Sequence, residues 1–293
     1  MKKNWKVVVP LVAFCALFLT GCGSKKASQS SSKVNIVTST NVYANIAKQV
    51  VGKYGTSTPV IKNGDTDPHD FEPTTASANT VSKANVVIAN GLGYDSWMGK
   101  LASSSSKKAV RVGNDLLHFK NNSNPHIWYN LNMDNVYVNY IVKRASKLDP
   151  AHAAAFKANA KRYMAKIANI KAVAKKINGT NEKPVFVSEP VFDYALLATG
   201  FKVGDKEFEE ATENETDPSA KTIREIHETI AKKGYSLFVN NTQASSSTVN
   251  NLLKLAKKQN IPVLNVRETM PNGVSYYHWM YGNYSRLYKQ FAK

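Results

Sequence analysis

Two series of short β-branched runs alternate with stretches of helical periodicity, and one long Gly-free segment separates them. These features predict an α/β protein of two lobes, each with a mainly parallel sheet flanked by helices, joined by one long rigid helix. The 293 residues are 43% hydrophobic and 20% charged, a globular composition that excludes fibrous and disordered classes. A chain of this length buries a substantial core unaided, and 2 Cys exclude a disulfide framework.

The N-terminus carries Lys2, Lys3 and Lys6, followed by a 13-residue apolar run, Val7 to Leu19. Such a run is too short for a membrane span, which takes about 20 residues, and matches the centre of an export signal. The tetrad Leu19-Thr20-Gly21-Cys22 resembles the lipobox of bacterial lipoproteins, in which the signal is cut before a cysteine that then receives a diacylglyceryl group. That resemblance implies a signal peptide over 1–21, lipidation of Cys22, and residence on the outer face of the bacterial cytoplasmic membrane. A plain secretory signal with an incidental cysteine is the alternative. Residues 22–33, rich in Ser and Lys, read as a flexible tether; as a coil it holds the folded part roughly 18 Å from the bilayer.

The N-terminal lobe is expected over 34–148. Its strands are Val34–Thr38, Thr58–Ile61, Val86–Ala89 and Ala109–Val112, with helices near Val42–Lys53, Ala76–Lys83 and Trp97–Ser103. The Ala- and Lys-rich stretch Asp149–Ile177 opens on Asp149-Pro150 and closes at Asn178-Gly179, so 149–178 is expected to be the connecting helix, about 43 Å long. The C-terminal lobe, 179–293, carries strands at Val185–Ser188, Phe201–Val203, Leu237–Asn240 and Val263–Val266. Its helices are expected near Asp193–Ala198, Ala220–Lys233, Thr248–Gln259 and Tyr276–Phe291.

The net charge of +18 falls to +15 once the three lysines of the signal leave. That excess suits proximity to a polyanion, or serves only as a solubilising surface charge; no run of five basic residues occurs. Export argues against a nucleic-acid partner.

All six histidines follow the signal: His69, His118, His126, His152, His227 and His278. Two share a setting. Asp67-Pro68-His69-Asp70-Phe71-Glu72-Pro73 and Asn124-Pro125-His126-Ile127-Trp128 each place an imidazole directly after a proline, in first-lobe loops of the kind where α/β sheets bind ligands. A surface or core histidine is the default for each singly; recurrence in one lobe points to a divalent metal, for which imidazole is the commonest side-chain ligand. In the second lobe, strands run directly into Glu189-Pro190 and Arg267-Glu268, placing carboxylates at strand ends.

In these loops, in Ser188-Glu189 with Phe192 and Tyr194, and in Glu268-Thr269 followed by Ser275-Tyr276-Tyr277, the chain resembles the solute-binding lipoproteins of zinc and manganese ABC transporters, the metal-binding lipoprotein/adhesin family. The similarity covers nearly the whole chain. It implies one divalent transition metal ion per chain, Mn2+ or Zn2+, carried as cargo by a monomer and delivered to a membrane permease with its cytoplasmic ATPase. It also implies metal ligation by His69, His126, Glu189 and Glu268, the last standing where the family usually has the shorter aspartate. Asp67, Asp70 and Glu72 then read as groups orienting the imidazoles, or as surface charge. The long histidine-rich loop of many zinc importers is absent.

Two other function classes have partial support in the sequence. A metallohydrolase needs a general base and often His-Glu-x-x-His; the nearest match, His227-Glu228-Thr229-Ile230-Ala231, lacks the second histidine. An adhesin or polyanion-binding surface could use Tyr276, Tyr277, Trp279, Tyr281, Tyr284 and Tyr288 for stacking, although their spacing also suits a packed helix face. Chelators separate the adhesive reading, which weakens with salt and ignores them, from metal capture, which is not enzymatic.

Overall fold

The computed structural model describes residues 1–2, 34–244 and 246–292. The signal segment from residue 3 onward, Cys22 and the tether 22–33 lie outside the described residues.

Among the described residues, eight strands form two four-stranded parallel sheets. β1 (Val34–Thr38), β2 (Gly55–Pro59), β3 (Val86–Ala89) and β4 (Ala109–Arg111) are ordered β2-β1-β3-β4. β5 (Val185–Val187), β6 (Val203–Gly204), β7 (Leu237–Asn241) and β8 (Val263–Val266) repeat that plan as β6-β5-β7-β8. In register, Ile36 lies opposite Val86 in the first sheet and Val185 opposite Leu237 in the second. β3 and β5 are buried at every residue, which is why they read as continuous apolar runs: parallel strands are covered on both faces. The strand order reverses beside β1 and again beside β5, which opens a crevice at the carboxyl ends of the strands in each sheet.

Helices α1 (Asn41–Val51), α2 (Thr75–Ser82), α3 (Ser96–Ser104) and α4 (Met133–Leu148) accompany the first sheet. The sequence reading assigns no element to α4, yet its buried Met133, Tyr137, Ile141 and Ala145 recur at helical spacing. Val136, Val138, Ile141 and Val142 lower its intrinsic helix preference, and packing overrides that weakness. The connecting element begins as a tight turn, Pro150–His152, whose start is held by Asp149 accepting from His152 Nδ1 at 2.6 Å. It then runs as α5 (Ala153–Ala174), so the α-helical rod is 22 residues, about 33 Å, rather than 43 Å.

The second sheet carries α6 (Asp193–Ala198), α7 (Lys206–Glu213), α8 (Ala220–Ala231), α9 (Ser247–Lys258) and α10 (Tyr276–Phe291). α10 is more than a helix of the second half. It packs along α5 and touches α1, and its Tyr276 and Tyr284 hydroxyls donate to the carbonyls of Trp128 and Tyr129 at 2.5 and 2.9 Å. One continuous core, from Val34 and Ile36 through Phe156 to Val187, Val239 and Leu287, therefore runs through both halves. The rod is one of two helices that weld them. Among the described residues no helix is long and apolar enough to cross a membrane.

Candidate metal centre

Five side chains converge where the strand ends of the two sheets face each other. His126 follows Pro125 in the loop entering a short turn, Ile127–Tyr129, and its side chain is fully buried. Its backbone N–H and its Nδ1 both lie 2.9 Å from Asn124 Oδ1. That oxygen can only accept, because Asn124 Nδ2 donates to the Pro190 carbonyl at 2.5 Å and so fixes the amide. Nδ1 therefore carries the hydrogen and Nε2 is a bare lone pair. Nε2 is buried with no hydrogen-bond partner, a costly state that a metal ion would relieve.

His69 lies in the loop after β2. Asp67 Oδ1 accepts its backbone N–H at 2.8 Å, and the Tyr94 ring meets its imidazole edge-on at 4.9 Å. Glu268 directly follows the turn out of β8, and its Oε1 lies 3.8 Å from His69 Nε2 and 3.9 Å from His126 Nε2, while accepting from the Tyr94 hydroxyl at 2.8 Å. Glu189 follows β5, and Asn241, at the end of neighbouring β7, donates to its Oε2 at 2.5 Å. Donor atoms of His126, Glu189 and Glu268, all buried, lie within 4.8 Å of one another. Parallel strands thus deliver two carboxylates at the carboxyl ends of β5 and β8, which flank β7, and the Pro-His loops deliver two imidazoles across the crevice.

Glu213, the last residue of α7, is the fifth. Its Oε1 is 3.9 Å from His69 Nε2 and its Oε2 is 3.8 Å from His126 Nε2. It was not singled out from the sequence because α7, Lys-Glu-Phe-Glu-Glu-Ala-Thr-Glu, is short and polar overall and holds one large apolar residue, Phe208. A carboxylate in the last turn of a helix, at the pole that repels anions, was the signal available.

Burial sets the electrostatics. Desolvation, then repulsion from Glu189, pushes Glu268 up to about 8; the Tyr94 hydrogen bond opposes this. Glu213 is likewise pushed up to about 8, by desolvation and then by Glu189 and Asp67. Glu189 is raised by burial, with the Asn241 hydrogen bond acting against it. His126 moves the other way, down to about 3, because burial disfavours its cation and His69 is near. Burial thus favours the protonated forms of the acids around a neutral His126, and a nearby cation would favour their ionised forms instead.

Asp67, Asp70 and Glu72 are exposed. Asp67 holds the His69 backbone rather than an imidazole nitrogen, and a carboxylate oxygen of Asp67 groups with ones of Asp70 and Glu215 at the surface. The group that orients an imidazole through its ring nitrogen is Asn124. His227 and Glu228 point outward from α8, where Glu228 lies 3.8 Å from Lys232. Tyr276, Trp279 and Tyr284 are buried in the core, Tyr277 and Tyr288 are half-buried against it, and Tyr281 is exposed.

The family model for the periplasmic zinc-uptake complex component A, ZnuA, matches residues 36–290, both sheets and all five converging side chains included. This chain belongs to the ZnuA family. Similar ZnuA-like proteins include the manganese ABC transporter substrate-binding lipoprotein scaA of Streptococcus gordonii, 30% identical over 321 residues spanning all of both chains. The metal ABC transporter substrate-binding lipoprotein of Lactococcus lactis is 29% identical over 322 residues, again all of both. Among solved structures, the solute-binding protein FpvC of Pseudomonas aeruginosa with Mn2+ superposes at a TM-score of 0.73 and 19% identity, covering 88% of this chain and 98% of that one. The Zn(II)-bound ZnuA-like domain of Streptococcus pneumoniae AdcA gives 0.68 at 23%, covering 89% and 100%. At these identities the superpositions speak for the fold, two lobes each with a parallel sheet.

Proposed function

We propose that this ZnuA-family chain is the solute-binding lipoprotein of an ABC importer, capturing one Mn2+ or Zn2+ per chain between its halves and delivering it to a membrane permease driven by a cytoplasmic ATPase. His69, His126, Glu189 and Glu268 are the donors. The observation that carries the reading is the buried, unpartnered Nε2 of His126 facing carboxylates too far away to hydrogen-bond it. Two imidazoles and two carboxylates give mixed nitrogen and oxygen ligation that balances a divalent charge and suits either ion. The names of the relatives support the same cargo.

The chain acts by equilibrium capture, not as an enzyme. It is a monomer, anchored by acylated Cys22 to the outer face of the cytoplasmic membrane, with the division 34–148, 149–178 and 179–293 as its working anatomy. Elemental analysis after purification without chelator tests the cargo: about one equivalent of transition metal is expected in the wild type and little in His126→Ala. Equal metal content in the two proteins overturns the assignment.

A further inference from the structure

Glu213 ends α7 in a place its own helix disfavours, because the free carbonyls and partial negative charge of a helix C-terminus repel an anion. Its side chain nevertheless turns inward, only 15% exposed. One oxygen addresses His69 and the other His126, at 3.9 and 3.8 Å. Neither contact is a hydrogen bond, which closes to about 3.2 Å or less. Oε2 and His126 Nε2 are both buried without a partner. Two ligands of one zinc ion, at bonds of about 2.0–2.1 Å in tetrahedral array, sit about 3.3–3.4 Å apart. Each of the two observed spacings is about half an ångström wider than that of neighbouring donors on one ion. Glu213 stands just outside the trio His126, Glu189 and Glu268, whose donor atoms all lie within 4.8 Å of one another, and has to close in to join them. Glu268 Oε1 occupies the corresponding distance from the same two nitrogens, so Glu213 and Glu268 flank the imidazole pair alike.

We propose that Glu213 is a fifth donor to the cargo ion and biases the site toward Mn2+ against Zn2+. This rests on the four-donor reading above. Zinc closes its shell with four ligands, so a fifth adds little to it. Manganese favours oxygen donors and higher coordination, and a third carboxylate, with both oxygens turned inward, supplies them. Intrinsic affinity still favours zinc at any such donor set; what Glu213 changes is the ratio.

The test compares wild type, Glu213→Gln and Glu213→Ala in titrations with Mn2+ alone and Zn2+ alone. The expected result is Mn2+ binding weakened about tenfold or more in both variants, with Zn2+ weakened less than about threefold. No change, or equal weakening for the two ions, overturns the proposal and leaves the importer reading standing. A wild type that binds neither ion overturns both. The Co2+ form of the wild type gives a readout that needs no variant. Weak visible absorption, as for five or six donors, is expected, and the intense bands of a four-coordinate ion would overturn the role of Glu213.

Discussion

At Glu268 and Glu213 the carboxyl protons are held to about pH 8, whereas His126 is neutral down to about 3. Near pH 7 the metal-free centre therefore carries protons on Glu268 and Glu213 and none on the buried imidazole of His126. A cation needs the carboxylates ionised, so binding must expel those protons. The sign follows: affinity rises with pH from about 6 to about 8 and flattens above. Titration calorimetry at pH 7, repeated in buffers of different ionisation heat, should give a release approaching two protons per ion, and close to none at pH 9.5; zero release at pH 7 would contradict these proton positions. His69, His126, Glu189 and Glu268 were legible because each sits in a local pattern, Pro-His or strand-then-acid, that the chain order preserves. Asn124 stood two residues before His126 in plain view. Its role depends on which way its amide faces, and that is fixed by the Pro190 carbonyl, 66 residues away in sequence.

Among the elements, α7 shows how packing decides what sequence does not. Its eight residues are held by Phe208, 1% exposed, whose ring meets Phe186 of β5 at 5.2 Å. Phe208→Ala should lower unfolding free energy in denaturant by about 3–5 kcal/mol. Because it releases the helix that aims Glu213, it should also reproduce the Mn2+ loss expected of Glu213→Gln; an unchanged Mn2+ affinity in the folded variant would show that α7 is held in place by other contacts. β1, β3, β8, α6 and α10 have the bounds read from the sequence: the strands are short β-branched runs, and α10 starts at Ser275, whose hydroxyl accepts from the His278 N–H. β2 starts three residues and ends two residues earlier than expected. Its Gly-Thr-Ser-Thr-Pro segment has no apolar run and is placed by pairing with β1. α4 and α7 were illegible for the opposite reasons of β-branched dilution and a single apolar anchor.

Over the whole molecule, the two sheets share a core and a seam. Tyr129 donates to the Arg267 carbonyl at 2.7 Å, Tyr194 to that of Asn124 at 2.8 Å, and Asn41 to that of Met270 at 2.9 Å. At Gly64 the backbones come so close that an added Cβ would stand 2.1 Å from the Met270 carbonyl oxygen, so only glycine permits that contact. Halves joined in this way, by α5, α10 and a continuous apolar interior, cannot lose one side without exposing the other. The metal-free chain should accordingly unfold in one calorimetric transition, with far-UV and near-UV signals coinciding, although chains of this length often show intermediates. Metal at a free concentration of about 100 times Kd should raise that single transition intact, adding about 2.7 kcal/mol, because the ion binds a centre that both halves build. If the metal-free chain instead melts in two steps and only one moves with Mn2+ or Zn2+, the halves are thermodynamically separate and the donors do not bridge them.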